Sequence, residues 1–464
     1  MQTKIIVGSS AKIINPNKKL MQDIKSELTI YNPEFSIIEN MGKNTYGVVR
    51  EYHAFKKVGN DVVIPYGAID NPRIKRHLFG MDYEVLKQEQ YPINDLSEPK
   101  IKPRDYQKIA VDIMTKQRRG ILVGATGSGK TNIGLYMIKK LGLRALWITH
   151  TTDLLRQSRK RAKQIYPNLK SGTITAGKVD VGVHITFATV QTLVNVYESV
   201  KDYFNIIIVD EAHHCVGSPT LLTMFYKVMN GLQAEFKYGL TATPKRNDGL
   251  EDMTFALLGQ IVHEIPEEDL ENAVVPVKYE PIVNVSKYKV GDYTTPAGMV
   301  DPHALIEMLN SDPKRNKLIV NFTLNKTKQS NGILVLTRRV AHAEHINSEL
   351  LLKGVKTALL VGKVKDVDRQ EILKSDDVEV IVATNSLAKE GLDLVRYDTL
   401  ILTYSITNIL EFTQVCGRVR RNDGIKKNAN VYEVQDIDIE YLSKRINRNR
   451  RWADRLWLFI KTNI

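Results

Sequence analysis

Gly124-Ala125-Thr126-Gly127-Ser128-Gly129-Lys130-Thr131, entered from the apolar run Gly120-Ile121-Leu122-Val123 and left into a helical pattern from Asn132, decides the fold. The stretch fits G-x-x-x-x-G-K-[ST] with a strand before it and a helix after it, the context in which that pattern holds phosphate rather than merely turning the chain. Its glycines let backbone N–H groups turn inward on a β-phosphate, Lys130 neutralises β and γ oxygens, and the Thr131 hydroxyl suits magnesium. Thr126, Gly127, Ser128, Gly129, Lys130 and Thr131 are therefore candidate contacts to ATP and Mg2+.

Outward from this loop, short apolar runs alternate with helical stretches between about residues 118 and 245: GILVGA, RALWITH, HITFAT, FNIIIVDE and FKYGLTAT. Near-continuous β-branched runs such as Ile206-Ile207-Ile208-Val209 suit central strands of a parallel sheet covered on both faces. The rhythm resumes at GILVLT (332–337), KTALLVG (356–362), VEVIVATN (378–385) and DTLILTY (398–404), which predicts a second α/β lobe. Residues 264–331, with Pro266, Pro276, Pro281 and Pro296, read as a crossover linker and the entry to that lobe.

About 80 residues beyond the loop, Asp210-Glu211-Ala212-His213-His214 closes the IIIV run. A carboxylate at the C-terminal end of a strand neighbouring the phosphate loop can hold magnesium, and an adjacent Glu can orient and deprotonate water. Asp210 is assigned to the metal with Thr131, and Glu211 to the water.

With its flanks, this DEAH element resembles motif II of the superfamily 2 helicases, and the other motifs follow in order from Arg104 to Arg421. By that resemblance Arg104 and Gln107 lie in the adenine-reading segment. ITHTTDLLRQ (148–157) is similar to motif Ia and ITFATVQTL (185–193) to motif Ib, placing Thr151, Thr189 and Gln191 near a nucleic-acid strand. Thr241-Ala242-Thr243-Pro244 resembles motif III, so Thr241 and Thr243, with His213, are the implied coupling residues. Thr337-Arg338-Arg339 resembles motif IV and Ala383-Thr384-Asn385 to Gly391-Leu392-Asp393 motif V, which implies strand contacts at Arg338 and Thr384 and nucleotide contacts at Gly391 and Asp393. Gln414 to Arg421 resembles motif VI, with Gln414, Arg418 and Arg421 as implied catalytic groups; three apart, the two arginines would share a helix face and reach one triphosphate. Two departures stand out: Val415 where Arg is common, and His150 where Pro is common.

The fold class expected is α/β: two tandem RecA-like parallel-sheet lobes (96–265 and, with the linker, 266–464), a small N-terminal α+β domain (1–95) and a short basic C-terminal helix. DEAH and TAT in place of DEAD and SAT, the stretch GLTATPKRNDGLEDMTFALLG, and an end soon after Arg421 resemble DNA helicases of the XPB-like and UvsW-like group. The expected activity is ATP-dependent unwinding or branch migration of forked and branched DNA in replication, recombination or repair, by a monomer. A duplex translocase of a restriction or remodelling complex is the alternative, and an RNA helicase a further one.

Bulk properties agree. The 464 residues are 43% apolar and 25% charged, with no continuous apolar run of membrane-spanning length and no secretory signal pattern, so a cytoplasmic, non-membrane protein is expected. Cys215 and Cys416, far apart, offer neither a disulfide framework nor a zinc site. A net charge of +14 favours approach to a phosphate backbone.

Both termini carry basic and aromatic residues. Near the start, a helix around Lys18–Leu28 precedes short strands with a hairpin turn at Gly59-Asn60-Asp61, and Lys43, Arg50, Lys56 and Lys57 interleave with Tyr46, Tyr52, His53 and Phe55. These are either a DNA grip or a solvated face over core rings. At the end, Lys444, Arg445, Arg448, Arg450, Arg451 and Arg455 share a helical pattern with Trp452, Trp457 and Phe459, as backbone contacts or as solvated charges on a helix docked by its rings.

Overall fold

The computed structural model describes residues 4–42, 44–216, 219–242, 250–270, 273–285, 288–295, 298–362, 364, 371–373, 375, 377–385, 394–406, 408–422, 424–442 and 448–454. Thr243, Gly391 and Asp393, and with them Lys43, Lys444, Arg445, Arg455, Trp457 and Phe459, lie outside the described residues. The chain forms two compact units, one of Met1–Ala125 and Gly129–Ile265 and one of Thr126–Ser128 and Pro266–Ile464.

The first unit is centred on an eight-stranded sheet in the order Lys178–Asp180, Ser171–Thr175, Ile185–Thr189, Ala145–Thr149, Ile206–Asp210, Phe236–Thr241, Arg119–Val123, Ile261–Glu264. All neighbours run parallel except the first pair. Every residue of Ala145–Thr149, Ile185–Thr189 and Ile206–Asp210 is buried, as the unbroken apolar runs require of strands covered on both faces. The strand of Asp210 and the strand that feeds the phosphate loop are not adjacent: Phe236–Thr241 lies between them, with Asp210 in register with Leu240 and Thr241 with Val123.

The N-terminal residues build their own five-stranded sheet, in the order Lys56–Val58, Asp61–Pro65, Ser10–Ile14, Lys4–Val7, Asp82–Val85. The hairpin closes with Val58 opposite Asp61 and Gly59 at φ 62°. The helix Lys18–Glu27 is capped by the Asn17 side chain. The sheet is separate, but its core is not. Buried Ile5, Ile13, Leu20, Ile64 and Ile74 belong to one apolar cluster with Ile121, Ile148, Ile207 and Val209. At Gly67 a Cβ would lie 2.2 Å from the Gly259 nitrogen, so only glycine allows this approach of the two backbones. Around it Arg119 stacks over Tyr66 at 4.4 Å and pairs with Asp70. Lys237, fully buried, donates to the carbonyls of Ser9 (2.8 Å) and Met229 (2.6 Å).

The second unit holds six parallel strands in the order Val277–Asn284, Ala429–Asp436, Thr399–Leu402, Ile333–Thr337, Val380–Thr384, Thr357–Leu360. One of these corrects the sequence reading. The stretch read as linker contains Val277–Asn284, paired along all eight residues with Ala429–Asp436. Pro281 is tolerated because that strand is at the sheet edge, where a missing N–H costs no ladder bond. The pair is pinned from inside by Arg315, fully buried, whose guanidinium donates to Asp436 (2.8 and 3.1 Å) and to the Thr403 carbonyl (2.7 Å).

Burial holds the Lys237 ammonium down to about 7 from an ordinary 10.5. A depressed lysine binds fewer protons folded than unfolded between those values, so its contribution to stability is complete above the upper one and is lost as pH falls toward the lower. The urea stability of the wild type relative to Lys237→Met is therefore expected to fall by roughly 1 kcal/mol per pH unit between pH 10 and 7. A gap that does not change with pH would contradict it.

Candidate active site

The phosphate loop leaves its strand at Val123 and enters the helix Lys130–Leu141 through Gly129, whose φ of 76° is left-handed. A Cβ there would also lie 2.5 Å from the Gln107 Nε2, so the glycine lets the Gln107 side chain pack against the loop. Gln107 is 4% exposed, and its Oε1 accepts from the Arg104 N–H at 3.1 Å. Lys130 Nζ donates to the carbonyls of Gly124 (2.9 Å) and Ala125 (3.4 Å), which holds the ammonium over the loop. Ser128 is buried and Thr131 half-buried.

At the acidic end, Asp210 Oδ2 accepts from Ser158 Oγ at 3.1 Å, and Oδ1 from the Glu211 N–H at 3.1 Å. Burial first, then the neighbouring Glu211 charge, pushes the Asp210 carboxyl above the usual carboxylate range, against the pull of Lys130 and of the Ser158 bond. Glu211 has φ 50°, a left-handed conformation uncommon for a residue with a side chain and of the kind stored at functional sites. His213 Nδ1 lies 3.0 Å from Thr241 Oγ1 and 3.4 Å from Glu211 Oε2, so one imidazole joins the acid to the end of the strand that separates it from the phosphate loop. The ring of His214 stacks on His213 (4.2 Å between centroids) and on His150 (3.8 Å). Burial, with the His214 charge next, holds His150 down to about 3.

Among the strand candidates of this unit, Thr151 caps the helix Thr152–Ile165 by accepting from the Leu154 N–H at 3.3 Å. Gln191 is exposed and donates to the His150 carbonyl at 2.8 Å. Thr189 is buried, with its hydroxyl 3.3 Å from those of Thr175 and Thr192, and so ties the loop. Sequence reading missed Ser158, which lies 52 residues from its partner and carries no motif signal. It missed the histidine stack too, although His150 was conspicuous as a departure.

In the second unit the helix Ile409–Val419 carries Gln414, half-buried, and Arg418, 8% exposed. The helix stops there, so Arg418 and Arg421 do not share a helix face as expected. Arg421 lies in an extended bridge to Val274, and the turn between them is held by the Val275 N–H donating to the Arg420 carbonyl at 2.7 Å. Arg420 is buried more deeply than Arg418, its Nε donating back to the Val275 carbonyl at 3.0 Å. Val415 is fully buried in the apolar core of this lobe, a position that takes no third arginine. Thr384 is buried at its strand end, while Arg338 is exposed, stacked 4.7 Å over Tyr404 and donating to the Ser405 carbonyl at 3.2 Å.

The terminal clusters divide. Tyr52 and Phe55 pack on the core, whereas Tyr46, Arg50, Lys56 and Lys57 are exposed. Trp452 lies 5.8 Å from Phe412 and 4.8 Å under Arg448, and Asn449 donates to both oxygens of buried Glu433. The final helix is docked by these side chains, with Arg450 and Arg451 exposed.

Two family models match the chain: Type III restriction enzyme, res subunit, over residues 100–246, and Helicase conserved C-terminal domain over 314–423. The chain belongs to the superfamily 2 helicases. It is 25% identical to a putative ATP-dependent RNA helicase L396 of Acanthamoeba polyphaga mimivirus, over 93% of this chain and 82% of that one. Similarity to the DNA 3'-5' translocase XPB2 of Sulfurisphaera tokodaii is 26% over 82% and 91%, and to the ATP-dependent DNA helicase uvsW of Enterobacteria phage T4 23% over 86% and 84%. A solved structure of S. cerevisiae Dbp5 bound to RNA and ADP BeF3 matches in fold, with TM-score 0.56 and 13% identity over 78% of this chain and 94% of that one. The helicase is thus an ATP-dependent enzyme with RecA-like lobes. Among its described residues no helix is long and apolar enough to cross a membrane.

If Glu211 is the residue that activates water, Glu211→Gln is expected to lower ATP turnover by about 10²- to 10⁴-fold. Nucleotide affinity, read by a fluorescent analogue, should stay within a few-fold. Turnover near wild type would remove Glu211 from that role.

Proposed function

We propose that this helicase couples ATP hydrolysis to movement along DNA and unwinds or branch-migrates forked and branched DNA. The observation that carries the hydrolytic half is the locked acid pair: Asp210 held by Ser158, and Glu211 in a left-handed conformation tied through His213 to Thr241, in the same unit as Lys130. Lys130 binds β and γ oxygens, Gln107 with Arg104 selects adenine, and Glu211 orients and deprotonates the attacking water. Arg418 and Arg421, with Gln414, meet the charge that spreads over the transferring phosphoryl group.

The residues fit magnesium. Thr131 and Asp210 offer hard oxygens, and a carboxylate pushed toward protonation by burial and then by its neighbour Glu211 is relieved by a cation. When bound, that ion neutralises phosphate oxygens.

The choice of DNA rests on the relatives named as DNA translocase and DNA helicase, and that of branched DNA on the resemblance of the sequence motifs to the UvsW-like group. Two other readings each have an observation behind them: RNA duplex from the mimivirus relative's name, and duplex translocation without strand separation from the restriction-subunit model.

ATPase stimulation and strand displacement on single-stranded DNA, blunt duplex, fork, four-way junction and RNA duplex separate the three. Highest stimulation by fork or junction, with displacement, is expected. Stimulation by blunt duplex without displacement would favour the translocase, and a preference for RNA would overturn DNA. Lys130→Ala is expected to abolish hydrolysis while leaving DNA binding within about two-fold, since its charge serves the nucleotide.

A further inference from the structure

His150 occupies the junction between the segment expected to hold a strand and the acid that activates water. Its carbonyl accepts from Gln191 at 2.8 Å, and the next residue, Thr151, caps the following helix. Its ring faces the other way, onto His214 at 3.8 Å with 33° between planes, and His214 lies 4.2 Å from His213 at 39°. His213 in turn meets Thr241 and Glu211. Three packed rings therefore join the ends of three neighbouring strands, Ala145–Thr149, Ile206–Asp210 and Phe236–Thr241, and the Gln191 bond to the His150 carbonyl adds the end of a fourth, Ile185–Thr189.

The His150 Nδ1 is buried with no hydrogen-bond partner among the described residues, so stacking, not hydrogen bonding, fixes that face of the ring. A close-packed array of this kind does not compress: a displacement of the backbone at His150 must be taken up by movement of the neighbouring rings.

We propose that His150 is the positioning residue that makes hydrolysis at Glu211 respond to a strand held at Thr151 and Gln191, acting through the His214 and His213 rings. A strand that bonds Gln191 or the Thr151 loop shifts the His150 backbone. The ring carries that shift to His213, whose contacts with Thr241 and Glu211 set where the carboxylate points. The inference rests on the reading of this chain as a nucleic-acid-stimulated ATPase.

Adjacency alone does not establish coupling, so the test measures the coupling itself. ATP turnover of the full chain is compared with and without saturating forked DNA for wild type, His150→Ala and His150→Phe, alongside the KM for ATP and fork affinity. His150→Ala is expected to cut the stimulation factor by about ten-fold, within the usual range of coupling between sites. Its unstimulated turnover, KM and fork affinity stay near wild type, and His150→Phe, which keeps a stacking ring, restores most of the stimulation.

Undiminished stimulation in His150→Ala overturns the relay and leaves the helicase reading intact. An equal fall in basal and stimulated turnover shows a structural role and also overturns it, as does a Phe variant that behaves like Ala. Wild type unstimulated by fork, and by single strand, duplex, junction and RNA, overturns the nucleic-acid reading and the relay with it.

Discussion

Parallel register is the constraint on which the first lobe's site depends. When neighbouring strands all run the same way, their C-terminal ends lie at one edge, and whatever follows each strand is delivered there. Val123, Thr149, Thr189, Asp210 and Thr241 are such ends, and the phosphate loop, the histidine at 150, Gln191 and Glu211 are the residues just beyond them. Segments more than 60 residues apart thereby become neighbours without any of them having affinity for the others. The strand Phe236–Thr241, placed between the phosphate-loop strand and the Asp210 strand, makes Thr241 the natural bridge between the two halves of the chemistry. The Gly124 N–H donates to its carbonyl at 3.0 Å on one side, while its hydroxyl meets His213 on the other.

Burying a carboxylate at such an edge, beside a second one, has a cost, visible in the raised Asp210 carboxyl and in the left-handed backbone of Glu211. Ser158, the Lys130 charge and the His213–Thr241 contact offset part of it. The conformation is sustained by its surroundings rather than by local preference, which is where strained residues are usually found when chemistry depends on them.

The N-terminal sheet illustrates a different economy. It contributes strands of its own but takes its core from the first lobe, across the close approach at Gly67 and Gly259 and the layered Asp70, Arg119 and Tyr66. In the second lobe, the docking of the last helix through Trp452 on Phe412 ties the chain's final described turns to the helix that bears Arg418.

The sequence by itself determined the lobes and the identity of the nucleotide-site candidates, because a phosphate loop between strand and helix and a DEAH after a β-branched run are local patterns with local physics. It also marked the hairpin at Gly59, since a turn is set by adjacent residues. Only the tertiary structure decided what depends on distant partners: the strand Val277–Asn284, whose Pro281 is acceptable only at an edge; the end of the helix at Val419, enforced by Val275 and separating Arg421 from Arg418; the Ser158 bond to Asp210; and the histidine stack. In each of these, the energy that settles the outcome comes from a contact between residues far apart in the chain, and no pattern within a window of sequence records such a contact.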